Sequence, residues 1–294
     1  MIKKVLIKKV KGSPGFTCMN LFLLGMFFIS TIYSPTLVAQ GNFYLTVKRL
    51  VFENSRKPKD FDIVNSGSDS AKFEITVINN RMNKDGSFEL ISKPDSGQNF
   101  AEKYLRIYPR TIKIGPKGAQ KIKVQLIKAD NLPPGEYRSH IQVKAAQKVT
   151  LLGEKDLAKK DSTKVSVKLT PEFSITVPVV LWSGQSDAKV KLSNLSLEKM
   201  NDSVSKLNLT FDRSGNFSVY GDLNVNYISA QGKVIPVGMA KGIAVYTPNK
   251  SRYFQLQLKK IAGVDFHSGK LMVSYVAASD TKGAKLAEAD LPLK

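Results

Sequence analysis

Val165-Ser166-Val167-Lys168-Leu169-Thr170-Pro171-Glu172-Phe173-Ser174-Ile175-Thr176-Val177-Pro178-Val179-Val180-Leu181 is the stretch that decides the fold. Every odd position is apolar. The even positions stay polar from Ser166 to Thr176 and give way only at Pro178 and Val180. A period of two is the mark of a β-strand with one buried face. Extended at ~3.3 Å per residue, the run would reach roughly 56 Å, several times the usual strand. One small sandwich cannot readily cover so long an apolar edge, so part of it is expected to stay available to something else.

Outward from that run, the pattern is β-rich throughout. Upstream, strands are expected near Phe43–Glu53, Asp60–Asn65, Lys72–Ile78, Phe88–Ile91, Leu105–Ile107, Thr111–Ile114, Lys121–Ile127 and Arg138–Lys144. Turn signals such as Asn65-Ser66-Gly67 and Pro116-Lys117-Gly118 separate them. Pro133-Pro134-Gly135-Glu136-Tyr137 leads into the penultimate strand, where a tyrosine after a glycine turn predicts the tyrosine corner of immunoglobulin-like domains. Downstream, Leu207/Leu209/Phe211, Val219 to Tyr227, Phe254/Leu256/Leu258 and Leu271/Val273/Tyr275 alternate cleanly. Shorter runs at Val234–Val237, Ile243–Tyr246 and Leu286–Leu293 bring the second half to roughly seven strands. The fold class is therefore all-β, two tandem immunoglobulin-like sandwiches. The expected division is a leader over 1–39, a first domain over 40–182 and a second over 183–294. Ala146–Asp161 reads as a polar loop between the last two strands of the first domain.

The first 39 residues read as a secretory signal peptide. Lys3, Lys4, Lys8, Lys9 and Lys11 precede an apolar run from Leu21 to Tyr33, and Leu37-Val38-Ala39 offers a small-residue exit. The run is shorter than the ~20 residues of a membrane span, so no span is expected in the mature chain. Cys18, the only cysteine, lies inside the leader. The exported protein then has no disulfide, and its core alone must hold it. The formal charge of +21 is spread along the chain. Such a balance suits acidic partners or anionic surfaces, but export argues against nucleic acid.

No catalytic machinery stands out. The two histidines, His140 and His267, lack neighbours at metal-ligand spacing. No nucleophile elbow, phosphate loop or dinucleotide fingerprint occurs. Trp182, the single tryptophan, lies at the expected domain boundary, where packing is its natural use. The chain reads as a binding protein, not an enzyme, with no cofactor.

Val47-Lys48-Arg49-Leu50-Val51-Phe52, followed by Asp60-Phe61-Asp62-Ile63-Val64-Asn65, resembles the opening two strands of the periplasmic pilus-assembly chaperones. Leu105-Arg106-Ile107-Tyr108-Pro109 with Ile114-Gly115-Pro116-Lys117-Gly118 is similar to that family's mid-domain strand, turn and return strand. Pro134-Gly135-Glu136-Tyr137-Arg138-Ser139-His140 is similar to its penultimate strand, and Ile175-Thr176-Val177-Pro178-Val179 falls where its subunit-binding strand ends. The match is best over 43–182. It extends more loosely to Phe217-Ser218-Val219-Tyr220-Gly221-Asp222 and Lys241-Gly242-Ile243-Ala244-Val245-Tyr246.

The resemblance implies a periplasmic chaperone that lends the strand around 165–181 to an exported pilin-like or other β-rich subunit. It implies an outer-membrane assembly platform, an usher, as the next partner. Subunit-binding residues would be Phe173, Ile175, Val177 and Val179, with Arg49 aligned to the family's carboxylate-holding arginine. The second anchor, a lysine late in the donor strand, is absent; Thr176 or Pro178 stands there, and the nearest preceding lysine is Lys168. A divergent branch fits this departure. The alternative is a structural or adhesive two-sandwich surface protein, in which the long strand is simply internal.

Overall fold

Alternation turns into paired sheets along the chain. A computed structural model describes residues 43–53, 57–129, 131–146, 172–201, 204–278 and 283–293. The first part contains β1 (Phe43–Leu45), β2 (Leu50–Glu53), β3 (Lys59–Asn65), β4 (Ala71–Ile78), β5 (Asn80–Met82) and β6 (Phe88–Leu90). It continues with β7 (Leu105–Tyr108), β8 (Thr111–Ile114), β9 (Ala119–Leu126), β10 (Gly135–Ala145) and β11 (Ser174–Ser183). One sheet runs β1-β3-β9-β7, the facing sheet β2-β11-β10-β4-β8, and β5-β6 form a separate hairpin. Phe61, Ile63, Phe73, Ile75, Ile122, Val124, Ile141 and Val143 fill the space between the two sheets. They are the inward members of alternating strands.

The second part contains β12 (Lys189–Asn201), β13 (Val204–Ser214), β14 (Val219–Ile228), β15 (Val234–Val245), β16 (Ser251–Gln257), β17 (Lys270–Ala277) and β18 (Lys285–Pro292). Its sheets run β12-β13-β16 and β15-β14-β17-β18. Leu207, Phe211, Leu223, Val225, Leu271, Val273 and Tyr275 make its core. The protein is thus all-β, two immunoglobulin-like sandwiches in tandem, and both lie within one compact unit, Gly41–Lys294. The helical content among the described residues is a single 3-10 turn, Glu102–Tyr104. No helix among them is long and apolar enough to cross a membrane.

Three expectations change. The strand expected over Phe43–Glu53 is two strands in opposite sheets: β1 pairs with β3, whereas β2 runs parallel to β11. The inward residues switch from Phe43 to Leu50 and Phe52, a shift from odd to even that turns the chain's apolar face as it crosses the sandwich. The two runs expected at Val234–Val237 and Ile243–Tyr246 are joined in β15, which takes register shifts against β14 instead of breaking. β12, unanticipated, is a thirteen-residue strand of mostly polar residues, irregular at Ser193/Ser196 and with Asn194 at φ 52°. The leader, Asp130, and Ala146–Asp161 beyond its first residue lie outside the described residues, as do the rungs Val165 to Pro171.

The tyrosine corner is present. The Tyr137 hydroxyl donates to the carbonyl of Pro133 at 3.1 Å, and its ring meets Tyr104 edge-on at 5.6 Å. Tyr137→Phe removes that bond and little packing, so unfolding free energy should fall by about 1 kcal/mol in urea titration. An unchanged midpoint would show that the corner contributes nothing here.

Candidate functional site

The expected donor strand is already at work at home. Val177 and Val179 are 2% and 0% exposed, and Val179 and Leu181 belong to the first sandwich's core. Phe173, at 42% exposure, is at the surface, and Ile175 packs half-buried against the core. Of the four expected subunit-binding side chains, therefore, two are sealed and two retain surface. The sandwich needs a final strand with an inward face, and β11 supplies it through these valines.

The backbone of β11 is more open. Ala145 N–H donates to the Phe173 carbonyl at 3.2 Å. In an antiparallel ladder such pairs alternate, so odd residues of β11 bond β10 while Ser174, Thr176 and Pro178 aim their backbone groups the other way. β2 covers that outer edge only from Val179 to Trp182. From Ser174 to Pro178 no described strand lies there. Pro178 contributes a carbonyl but no N–H to this edge.

The open edge runs beside a cleft of about 490 Å³ walled by both sandwiches and the β5–β6 hairpin. Thr176, Pro178 and His140 line one side, Tyr220, Lys241 and Tyr246 another, and Phe88 of the hairpin a third. Lys48, Lys241 and Arg252 are its charged lining residues, with no carboxylate among them. Such walls favour an anion. Arg49, the expected anchor, is half-buried, its guanidinium 3.9 Å above the Tyr220 ring. Cation–π stacking of this kind holds the second sandwich against the first. The cations that line the cleft are Lys48 beside it, Lys241 across from it and Arg252, and none of the three was among the residues expected to bind.

The seam behind the cleft is polar and buried. Glu136, 3% exposed, takes the Trp182 indole N–H at 3.1 Å, the Ser218 N–H at 2.7 Å, the Thr247 hydroxyl at 3.0 Å and the Ser218 hydroxyl. Trp182 stacks on Phe217 with centroids 5.4 Å apart, a packing role in line with its position in the chain. Arg138, 2% exposed, donates to the carbonyls of Asn80 and Thr247 and lies 4.4 Å from the Tyr246 ring centroid. Burial pushes its guanidinium below the ordinary arginine range, with Tyr246 and Glu136 acting against that. Among the described residues no cluster of His, Cys, Asp or Glu could hold a metal ion.

No family model matches this chain, and no curated protein does. Solved structures do. It is similar to the chaperone YadV (13% identity, TM-score 0.42, covering 86% of this chain and all of that one). It is similar to the Escherichia coli chaperone DraB (12%, TM-score 0.40, 86% and 96%). A third likeness is to the Salmonella enterica SafA pilin in complex with the SafB chaperone (11%, TM-score 0.40, 87% and 98%).

His140 gives the seam a pH dependence. Its Nε2 faces an Arg138 N–H at 3.5 Å, its Nδ1 has no hydrogen-bond partner among the described residues, and Phe88 covers the ring edge-on at 5.3 Å. Burial, then the Arg138 charge, pushes its pKa from 6.5 down to about 3. The other charges on the cleft, Lys48, Lys241 and Arg252, are also positive. The unfolded chain takes up this proton near pH 6.5, whereas the folded one does so only near 3. Stability should therefore fall as pH drops through that window, by up to ~1.4 kcal/mol per unit. His140→Gln should flatten the loss in denaturant titrations between pH 6.5 and 4; an unaltered slope would place the proton uptake elsewhere.

Proposed function

We propose that this protein is a periplasmic chaperone for exported pilin-like or other β-rich subunits, which it holds by strand pairing until an outer-membrane usher takes them. The reading treats 1–39 as a cleaved export signal and the sandwiches at 40–182 and 183–294 as two domains. The observation that carries it is the outer edge of β11 from Ser174 to Pro178, unpaired by any described strand and running beside a cleft with cationic walls. Paired strands gain affinity from main-chain hydrogen bonds and specificity from alternate side chains. Phe173 and Ile175 supply the latter at this edge. The family resemblance of 43–182 points the same way.

The subunit's chain end is the anion that suits the cleft. Lys48 and Lys241, one from each sandwich, would hold its carboxylate in place of the family's arginine and missing lysine, since Arg49 lies against Tyr220. The rival reading, a structural or adhesive surface protein, gains from one observation: Val177 and Val179 are used internally.

Thr176→Pro separates the two readings. By the alternation above, it removes an outward donor and leaves the bonds to β10. We expect the variant to fold normally and to bind a dansyl-labelled peptide of alternating valine and threonine, with a free C-terminal carboxylate, at least about tenfold more weakly by fluorescence titration. Equal affinity would refute pairing at this edge. Lys48→Gln with Lys241→Gln should weaken the free-acid peptide but not its C-terminal amide. Parallel losses for both peptides would argue that the lysines do not read the carboxylate.

A further inference from the structure

β6 is an unusual strand for a soluble protein. All three of its residues are exposed, with Phe88 at 48% and Leu90 at 69%. Ile91 N–H donates to Asn79 at 2.9 Å and Asn83 N–H to Ser87 at 2.8 Å. The alternation that follows turns the backbone groups of Asn80 and Met82, and of Phe88 and Leu90, away from the hairpin. On the β5 side the carbonyls are satisfied. The Asn80 carbonyl accepts from Gln98 and Arg138, and the Met82 carbonyl from Asn249 at 2.7 Å. On the β6 side no described strand takes them.

The edge is held rigidly. Tyr253 N–H donates to the Lys84 carbonyl at 2.7 Å, so the hairpin tip is tied to the second sandwich. Arg252 presses so closely on Gly86 that a Cβ there would lie 2.3 Å from its Nη2, and φ at Gly86 is +88°. At the base, Arg81 grips Asp95 through two hydrogen bonds of 2.6 and 2.7 Å. Exposed apolar edges invite unwanted pairing, and proteins ordinarily blunt them with charge, proline or cover. Here Glu89 points to Arg81 instead, 3.4 Å away.

We infer that β6 is a second subunit-gripping edge, with Phe88 and Leu90 seating alternate apolar side chains of an extended segment of the exported subunit. This rests on the chaperone reading above. Phe88 lines the same cleft as Thr176 and Pro178, so a chain whose end lies in the cleft meets the hairpin as well as β11. Charge selects the occupant. A second copy without its leader would bring a formal +16, the +21 of the full chain less five leader lysines, to a cleft whose charged walls are all basic, whereas a subunit's carboxylate end complements them. A preformed edge also loses little freedom on binding.

The test uses the same labelled valine–threonine peptide. Leu90→Asp changes a side chain that is mostly in solvent, and Phe88→Ser supplies an independent variant. Each should weaken binding by about tenfold or more. A benzoylphenylalanine replacing Leu90 should crosslink to the peptide on irradiation. If both variants bind like the unaltered protein while Thr176→Pro loses the peptide, the hairpin inference is wrong and the chaperone reading stands. If the unaltered protein does not bind the peptide, both fall. Crosslinks joining two copies of the chain would overturn the choice of occupant.

Discussion

Glu136 is the constraint on which the architecture depends. A carboxylate removed from water is costly unless several donors replace its hydration. Here four do, and three of them come from Ser218 and Thr247 of the second sandwich. The fourth, the Trp182 indole, comes from the last strand of the first. Separating the sandwiches would leave this carboxylate only the Trp182 indole of its four donors, and Arg138 would lose Thr247 and the face of Tyr246 in the same step. The relative placement of the sandwiches is thereby written into two side chains of one strand, β10.

That placement is what creates a cleft at all. Met82, Val180, Ala244 and Tyr246 form a small apolar cluster shared by both sandwiches, and Met82, Ala244 and Tyr246 also line the cleft. The rim is left to flexible lysines, which can follow an anion without giving up buried hydrogen bonds. Arg49 serves the seam through Tyr220 rather than the rim. Two residues adjacent in sequence thus face different ways, Lys48 toward the cleft and Arg49 into the seam.

Much of the fold is legible from alternation because each strand has one face on a core. β3, β4, β8 and β14 fall within a residue or so of where periodicity puts them. Legibility fails where burial departs from that rule. In β10 the residues Glu136, Arg138 and His140 look like a solvent face, yet all are buried, because the second sandwich and the hairpin cover them. Sequence cannot distinguish water from a polar seam. β12 carries Lys, Ser and Asn with a register shift, which dissolves its period. The β1–β2 crossing did leave a trace, the change of phase between Val47 and Leu50. Of the candidate site, the strand was visible; the arginine was too, but it lies in the seam and not among the residues that line the cleft. Lys241 and the hairpin were not, since only folding brings them to the same cleft.

The burial of Val177 and Val179 changes how a subunit could be held. Two remaining side chains, Phe173 and Ile175, are already partly covered, so each would gain less than the ~1.5–3 kcal/mol of a full burial. That sum scarcely reaches the lower end of the ~4–15 kcal/mol cost of association. Side-chain donation from the described part of β11 therefore cannot hold a guest by itself. On the proposed reading, main-chain pairing along Ser174–Pro178, charge neutralisation by Lys48 and Lys241, and a second rigid edge at β6 would have to supply what the buried valines do not. A chaperone built this way would grip by several weak contacts around one cleft. Such a grip is also the easier one to release, because no single deep insertion has to be undone before the subunit moves on.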